Sequence, residues 1–308
     1  MFSGHSPSFP FVSVIIPVYN DTDRLMQCLE CLAAQSYPRD RLEVIVVDNG
    51  SRESPRKRVE EFPFCKFAEE STPGSYAARN RGLELARGTI IAFTDADCLP
   101  DLDWLAVAQR ELAANPTCGF IGGGVEIFPA DPARPSAVEL YDMIFGLNQC
   151  SCVTRHQYAV TANLVARRST IDHVGPFDVK LKSLGDADWG QRASSKGFPG
   201  LYVEDALIRH PARRHFESIL TQARRLAGGR FDRHRCEPYR YKSLHFWRIL
   251  WRSIIPKFEK MNRARRQLQA QGYGATVWLK TIPVILAVQY ASLWEFLRKR
   301  LGRPSERR

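Results

Sequence analysis

The sequence predicts an α/β protein: a doubly wound, mostly parallel sheet with helices on both faces, followed by a basic helical extension. Three observations predict it. Short apolar runs rich in β-branched residues alternate with segments of helical period, the pattern of a parallel sheet covered on both faces. Two of these runs end in carboxylates, which puts acids at the carboxyl edge of the sheet, where open α/β proteins bind ligands. The charge is also divided: residues 1–208 hold 20 Lys and Arg against 27 Asp and Glu, whereas residues 209–308 hold 24 against 6. A catalytic domain at 1–208 and an extension at 209–308 are therefore expected.

With 308 residues and an apolar content of 44%, the chain has ample material for a core. The eight cysteines follow neither a metal-finger nor a disulfide-framework spacing, and the start Met-Phe-Ser-Gly-His-Ser-Pro lacks a basic region followed by an apolar one. Reduced thiols and a cytoplasmic chain are expected. Cys28-Leu-Glu-Cys31 has redox spacing but falls inside a helical pattern without a second pair, and reads as packing thiols.

In chain order, Phe11-Val-Ser-Val-Ile-Ile-Pro-Val-Tyr-Asn20 is a buried strand ending in a turn. Asp21-Thr-Asp caps an amphipathic helix running to about Gln35, its stripe made by Leu25, Cys28, Leu29 and Leu32. Leu42-Glu-Val-Ile-Val-Val-Asp48 is the second buried strand, closed by Asn49-Gly50-Ser51. Asp48 stands where a carboxylate accepts hydrogen bonds from a base or ribose. A polar helix at Ser54–Glu61 and a short strand at Phe64–Ala68 follow. Pro73-Gly74-Ser75 turns into an Ala-rich helix, Tyr76 to Arg87, whose N-terminus and Arg79 can hold an anion.

Gly88 ends that helix, and Thr89-Ile-Ile-Ala-Phe-Thr-Asp-Ala-Asp97-Cys-Leu-Pro100 is an apolar strand emptying into two carboxylates one residue apart. Asp95 and Asp97 repel unless a cation joins them, and hard oxygen donors with open positions suit Mg²⁺ or Mn²⁺ on a diphosphate. An acidic turn is the plain alternative.

Four segments, Val12–Asn20, Val44–Ser51, Ala77–Gly82 and Ile91–Asp97, resemble in order and spacing the nucleotide-binding half of family 2 glycosyltransferases, which have the GT-A fold. The resemblance covers roughly residues 11–205. It implies an inverting transfer of a sugar from a nucleotide-diphosphate donor to a lipid-linked or saccharide acceptor. Pro17, Tyr19, Asn20, Asp48, Gly74, Arg79, Asp95 and Ala96 would hold the nucleotide; Asp95, Asp97 and His210 would hold Mg²⁺ or Mn²⁺, a surface histidine being the alternative for His210. Gly119 to Ile127 resembles the acceptor-side sheet, and Gly122-Gly-Gly124 lacks the spacing of a dinucleotide fingerprint. Ala162 and Asn163 either line the sugar pocket or belong to a plain buried strand.

In the family a Glu-Asp pair opens a helix and its Asp is the general base on the acceptor. Here Gly185-Asp186 takes that place: Asp186 matches the base, Gly185 departs from the pattern, and Asp188 matches the later acid. A helix N-cap is the alternative for Asp186. Gln222-Ala-Arg-Arg225 resembles the Gln-x-x-Arg-Trp of processive enzymes, but Leu226 replaces the Trp, which argues against a polymerase. A nucleotidyltransferase, or a non-catalytic protein keeping the fold as a scaffold, is the competing reading.

In the tail, Trp247, Trp251, Trp278 and Trp294 are interleaved with Arg and Lys. The charge-free stretch Thr281–Trp294 is shorter than the ~20 residues a bilayer span needs. An anionic membrane surface, not nucleic acid, is the expected partner, with the protein peripheral on the inner face of the cytoplasmic membrane. A helical cap packed on the catalytic domain is the alternative.

Overall fold

Parallel pairing of the apolar runs sets the architecture. In the computed structural model, which describes residues 9–235 and 258–303, β1 (Val12–Val18) lies between β2 (Leu42–Asp48) and β4 (Ile90–Thr94), parallel to both. The strand β3 (Cys65–Glu69) extends this parallel set beyond β2. On the other side β7 (Asn163–Arg167) runs antiparallel to β4, and β6 (Phe120–Phe128) antiparallel to β7. With β8 (Gly200–Pro211) and the two-residue β5 (Leu99–Pro100) the eight strands stand in the order β3-β2-β1-β4-β7-β6-β8-β5. The sheet is mixed and mostly parallel in its first half, as the apolar runs require: every residue of β2 and β4 is buried, so neither has a solvent face.

Helices supply the cover. They are α1 (Thr22–Ala33), α2 (Arg56–Val59), α3 (Ser75–Leu85), α4 (Trp104–Ala114), α5 (Ala137–Phe145), α6 (Gln149–His156), α7 (Arg168–Val174) and α8 (Gly185–Ser195). The stripe of α1 is buried as its spacing predicts, through Leu25, Cys28, Leu29 and Leu32. Cys28 and Cys31 are free thiols. Ile15, Ile45, Phe93, Phe120, Leu164, Phe177 and Trp189 form the main core.

Asn163 is wholly buried and stitches three elements: it accepts from Trp104 Nε1 at 2.8 Å and donates to the Gly124 and Ala206 carbonyls, each at 2.8 Å. A Cβ at Gly123 would lie 2.4 Å from its Nδ2, so the glycine run admits this amide rather than a ligand.

The chain divides into two compact units. One takes the described residues up to Glu126 with Asn148–Val179 and Gly185–His210; the other takes Ile127–Leu147, Lys180–Leu184 and the described residues from Pro211 on. The boundary thus differs from a single cut after 208, because α5 joins the tail. Its Leu140, Tyr141 and Ile144 pack with α9 (Phe216–Arg235), α10 (Phe258–Ala270) and α11 (Ile282–Arg300) through Ile219, Leu268, Val284, Ile285 and Val288. Charge balance cannot reveal an apolar helix inserted elsewhere in the sequence.

Val277–Arg300 is longer and more apolar than its charge-free stretch implies, and by length and composition alone it could cross a membrane. One face, however, is committed to the core of the second unit. Trp278 packs against that core, whereas Tyr290 and Trp294 are exposed; Trp247 and Trp251 lie outside the described residues.

Candidate active site

Three loops leave the carboxyl ends of β1, β2 and β3 at one edge of the sheet and are tied together by side chains. Asn20, in a left-handed conformation at φ 52°, accepts the Arg52 amide at 2.8 Å, and its own amide donates to the Ser51 hydroxyl at 2.8 Å. Asp48 is buried and accepts the Ser51 amide at 3.1 Å. Asn49 donates to the carbonyls of Glu70 and Thr72 at 2.9 and 2.8 Å, and accepts the Gly74 amide at 2.6 Å. Pro17, Tyr19, Asn20, Asp48 and Gly74 are therefore brought to one edge, Tyr19 exposed and Asp48 buried.

Strand β4 delivers the acids to the same edge. Asp95 is ion-paired with Arg79 Nη2 of α3, whose side chain is 4% exposed. Its Nε is buried without a protein partner. Asp97 faces His210 Nε2 at 3.6 Å and Arg24 Nη1 at 3.8 Å. Asp97, Cys98 and His210 place ligand atoms within 4.8 Å of one another, a cluster able to hold a divalent cation. Burial, and after it the charges of the neighbouring acids, pushes the Cys98 thiol well up, so it stays protonated. Carboxylate and imidazole are thus the donors on offer, which suits Mn²⁺ or Mg²⁺. Of the two sequence-predicted acids, Asp97 sits in this cluster and Asp95 is held by Arg79.

Asp186 comes from a different element, the first turn of α8. Burial raises its carboxyl above the ordinary range; the Ala187 amide at 2.9 Å and the Arg79 charge offset part of that, and the Asp95 charge adds to it. A carboxylate so placed is a stronger base than an exposed one. Asp188 is spent structurally: it holds Arg192 Nε at 2.8 Å, and that guanidinium donates to the Val174 and Pro176 carbonyls.

The structure also brings in Arg24, Cys98 and Tyr76, whose hydroxyl accepts the Gly185 amide at 2.8 Å, all three passed over by pattern reading. Cys98 was signalled only by adjacency to Asp97. Tyr76 and Arg24 carry no motif signal, because their relevance depends on folded neighbours. Ala162 and Asn163 are buried, and Asn163 is consumed by the sheet.

Comparison with known proteins bears on the family and the fold. The model of "Glycosyl transferase family 2" matches residues 13–175, more than half the chain. Glycosyltransferase AglE of Haloferax volcanii is 36% identical over 222 residues, 70% of this chain and 72% of the relative. The solved mannosyltransferase PcManGT of Pyrobaculum calidifontis, in complex with GDP-Man and Mn²⁺, superposes with a TM-score of 0.63 at 22% identity, covering 96% of this chain and 89% of that one. Residues 1–349 of TarS from S. aureus, in complex with UDP-GlcNAc, give 0.54 at 18% identity, covering 95% and 92%. The fold is GT-A, and the chain belongs to glycosyltransferase family 2.

Proposed function

We propose that this glycosyltransferase is inverting and metal-dependent, and moves a sugar from a nucleotide-diphosphate sugar to an acceptor hydroxyl in exopolysaccharide, cell-envelope or glycolipid synthesis. The observation that carries the reading is Asp186: a carboxylate in the first turn of α8 that accepts the Ala187 amide at 2.9 Å and lies within electrostatic reach of Arg79 and Asp95. One base acting once, on the acceptor, is what a single displacement with inversion needs.

The other residues divide the remaining work. Asp48, with Pro17, Tyr19, Asn20 and Gly74, would hold the nucleoside. Asp97 and His210 would hold the metal, as the Mn²⁺ complex of PcManGT supports for a protein of this fold. Asp95, turned by Arg79, would face the ribose or diphosphate together with Ala96. Arg79 and Arg24, paired with Asp95 and Asp97, would add positive charge beside the leaving diphosphate. A bound Mg²⁺ or Mn²⁺ would neutralise charge on that leaving group.

We also place the protein peripherally on the inner face of the cytoplasmic membrane. Support comes from the +18 balance of residues 209–308 and the exposed Leu279, Tyr290 and Trp294. A screen of nucleotide sugars for thermal stabilisation, with and without Mn²⁺, names the donor. NMR of the product's anomeric proton then tests inversion, and a retained configuration overturns it.

A further inference from the structure

Gly185 stands directly before Asp186 at the opening of α8, and the structure shows why no larger residue fits there. A Cβ at 185 would lie 2.6, 2.7 and 2.9 Å from Cε2, Cζ and Cδ2 of Tyr76. Those are separations that no side chain tolerates, so the ring and any residue larger than glycine exclude each other. The ring cannot easily yield, because it is stacked on Phe177 with centroids 5.8 Å apart. Phe177 is itself locked by Phe93 and Trp189, in the middle of the core.

The hydroxyl of this ring is placed at the opening of α8. It accepts the Gly185 amide at 2.8 Å and also meets the amide of Asp186. First-turn amides of a helix have no partner within it. Leu184, just before, holds a left-handed φ of 61°, a conformation that a non-glycine residue keeps only when its surroundings impose it. The Tyr76 bond to the next residue is such a restraint. Tyr76 is neutral where a glutamate would set a second negative charge beside Asp186, and burial keeps its proton on. The same helix, α3, carries Arg79, which holds Asp95. One rigid element therefore registers the donor-side acid and the base helix together.

We propose that Tyr76 is a positioning residue for transfer: with Gly185 it forms a matched pair that sets the place of Asp186. This rests on the reading of Asp186 as the base.

The test is Tyr76→Phe, which keeps the ring and its stacking and removes only the oxygen. With the donor chosen by the stabilisation screen, and water or a polyprenyl phosphate as acceptor, kcat should fall roughly 10- to 100-fold, as expected for a reacting group displaced by about an ångström. The donor KM and the stabilisation by donor with Mn²⁺ should stay within about twofold of wild type, which general loosening of the fold would not leave unmoved. Gly185→Glu alone should lower both kcat and Tm, and adding Tyr76→Ala should recover part of each, a coupling that exists only if the two share one space.

Wild-type kcat in Tyr76→Phe, a donor KM that rises in step with the fall in kcat, or Gly185→Glu tolerated without a second change overturns the proposal. Asp186→Asn separates the two ideas. If it stays active, Asp186 is not the base and the proposal falls together with that reading, whatever Tyr76→Phe does. If it loses transfer while Tyr76→Phe does not, positioning alone fails.

Discussion

At the scale of the residue, two carboxylates are expected to do different things because their surroundings differ. Asp97 is partly exposed at a strand end, with His210 at 3.6 Å. Asp97→Ala should therefore abolish transfer and the Mn²⁺-dependent part of donor stabilisation while leaving the Tm of the free protein within a few degrees. Unchanged turnover would remove Asp97 from the metal site. Asp186 is held in a site that raises its carboxyl, chiefly by burial. A carboxyl that binds its proton more tightly folded than unfolded adds stability at low pH and withdraws it as pH rises through the raised value. Asp186→Asn should lower transfer by a factor on the order of 10²–10⁴ and raise Tm at neutral pH, with the gain in Tm vanishing toward acid. The acid limb of the wild-type pH–rate profile should correspondingly lie above the ordinary carboxylate range. A variant less stable than wild type at neutral pH would contradict this account of Asp186.

At the scale of the element, the sheet depends on polar groups in places where apolar residues would have been expected. Asn163 joins β7 to the Gly124 and Ala206 carbonyls and to the Trp104 indole. Asn163→Ala leaves a buried N–H and two carbonyls without this partner, and unmet groups cost about 1–3 kcal/mol each before relaxation. A loss of about 2–4 kcal/mol in denaturant unfolding is expected, with catalysis affected only through stability. A change below about 0.5 kcal/mol would reopen the sugar-pocket role for this residue. At the other edge, Glu43 ties β2 to Ser13 of β1 at 2.6 Å and to the Arg87 amide at 2.8 Å. Burial alone would raise its carboxyl, but these bonds and the one from Lys66 hold it below the usual value. Its contribution is thus present at neutral pH and lost as pH falls through the carboxylate range.

At the scale of the whole molecule, the charge division predicts how the second unit meets its surroundings. Basic residues are worth about 1 kcal/mol each near anionic lipid and are screened by salt, whereas inserted aromatic rings are not. Binding to liposomes should need anionic lipid, weaken in high salt, and fall further when Tyr290 and Trp294, both exposed on α11, become Ala. Trp278, packed against the unit's core, should matter to stability instead. Absence of binding to any vesicle would make the tail a folded helical unit and the acceptor a soluble saccharide.

What the sequence determined by itself was local and periodic. Buried parallel strands declare themselves as apolar runs, and their exits carry Asp48, Asp95 and Asp97 because side chains at a strand end face the ligand edge. The motif spacing identified the family, and the register through Gly185 made Asp186 the candidate base. What only the tertiary structure decided was who meets whom: Arg79 with Asp95, Cys98 and His210 with Asp97, Tyr76 with Gly185, α5 with the tail helices. Those partners stand far apart in the chain, and no period links them. Their meeting is set by the packing of helices on the sheet, which leaves room for a tyrosine ring only where residue 185 has no side chain.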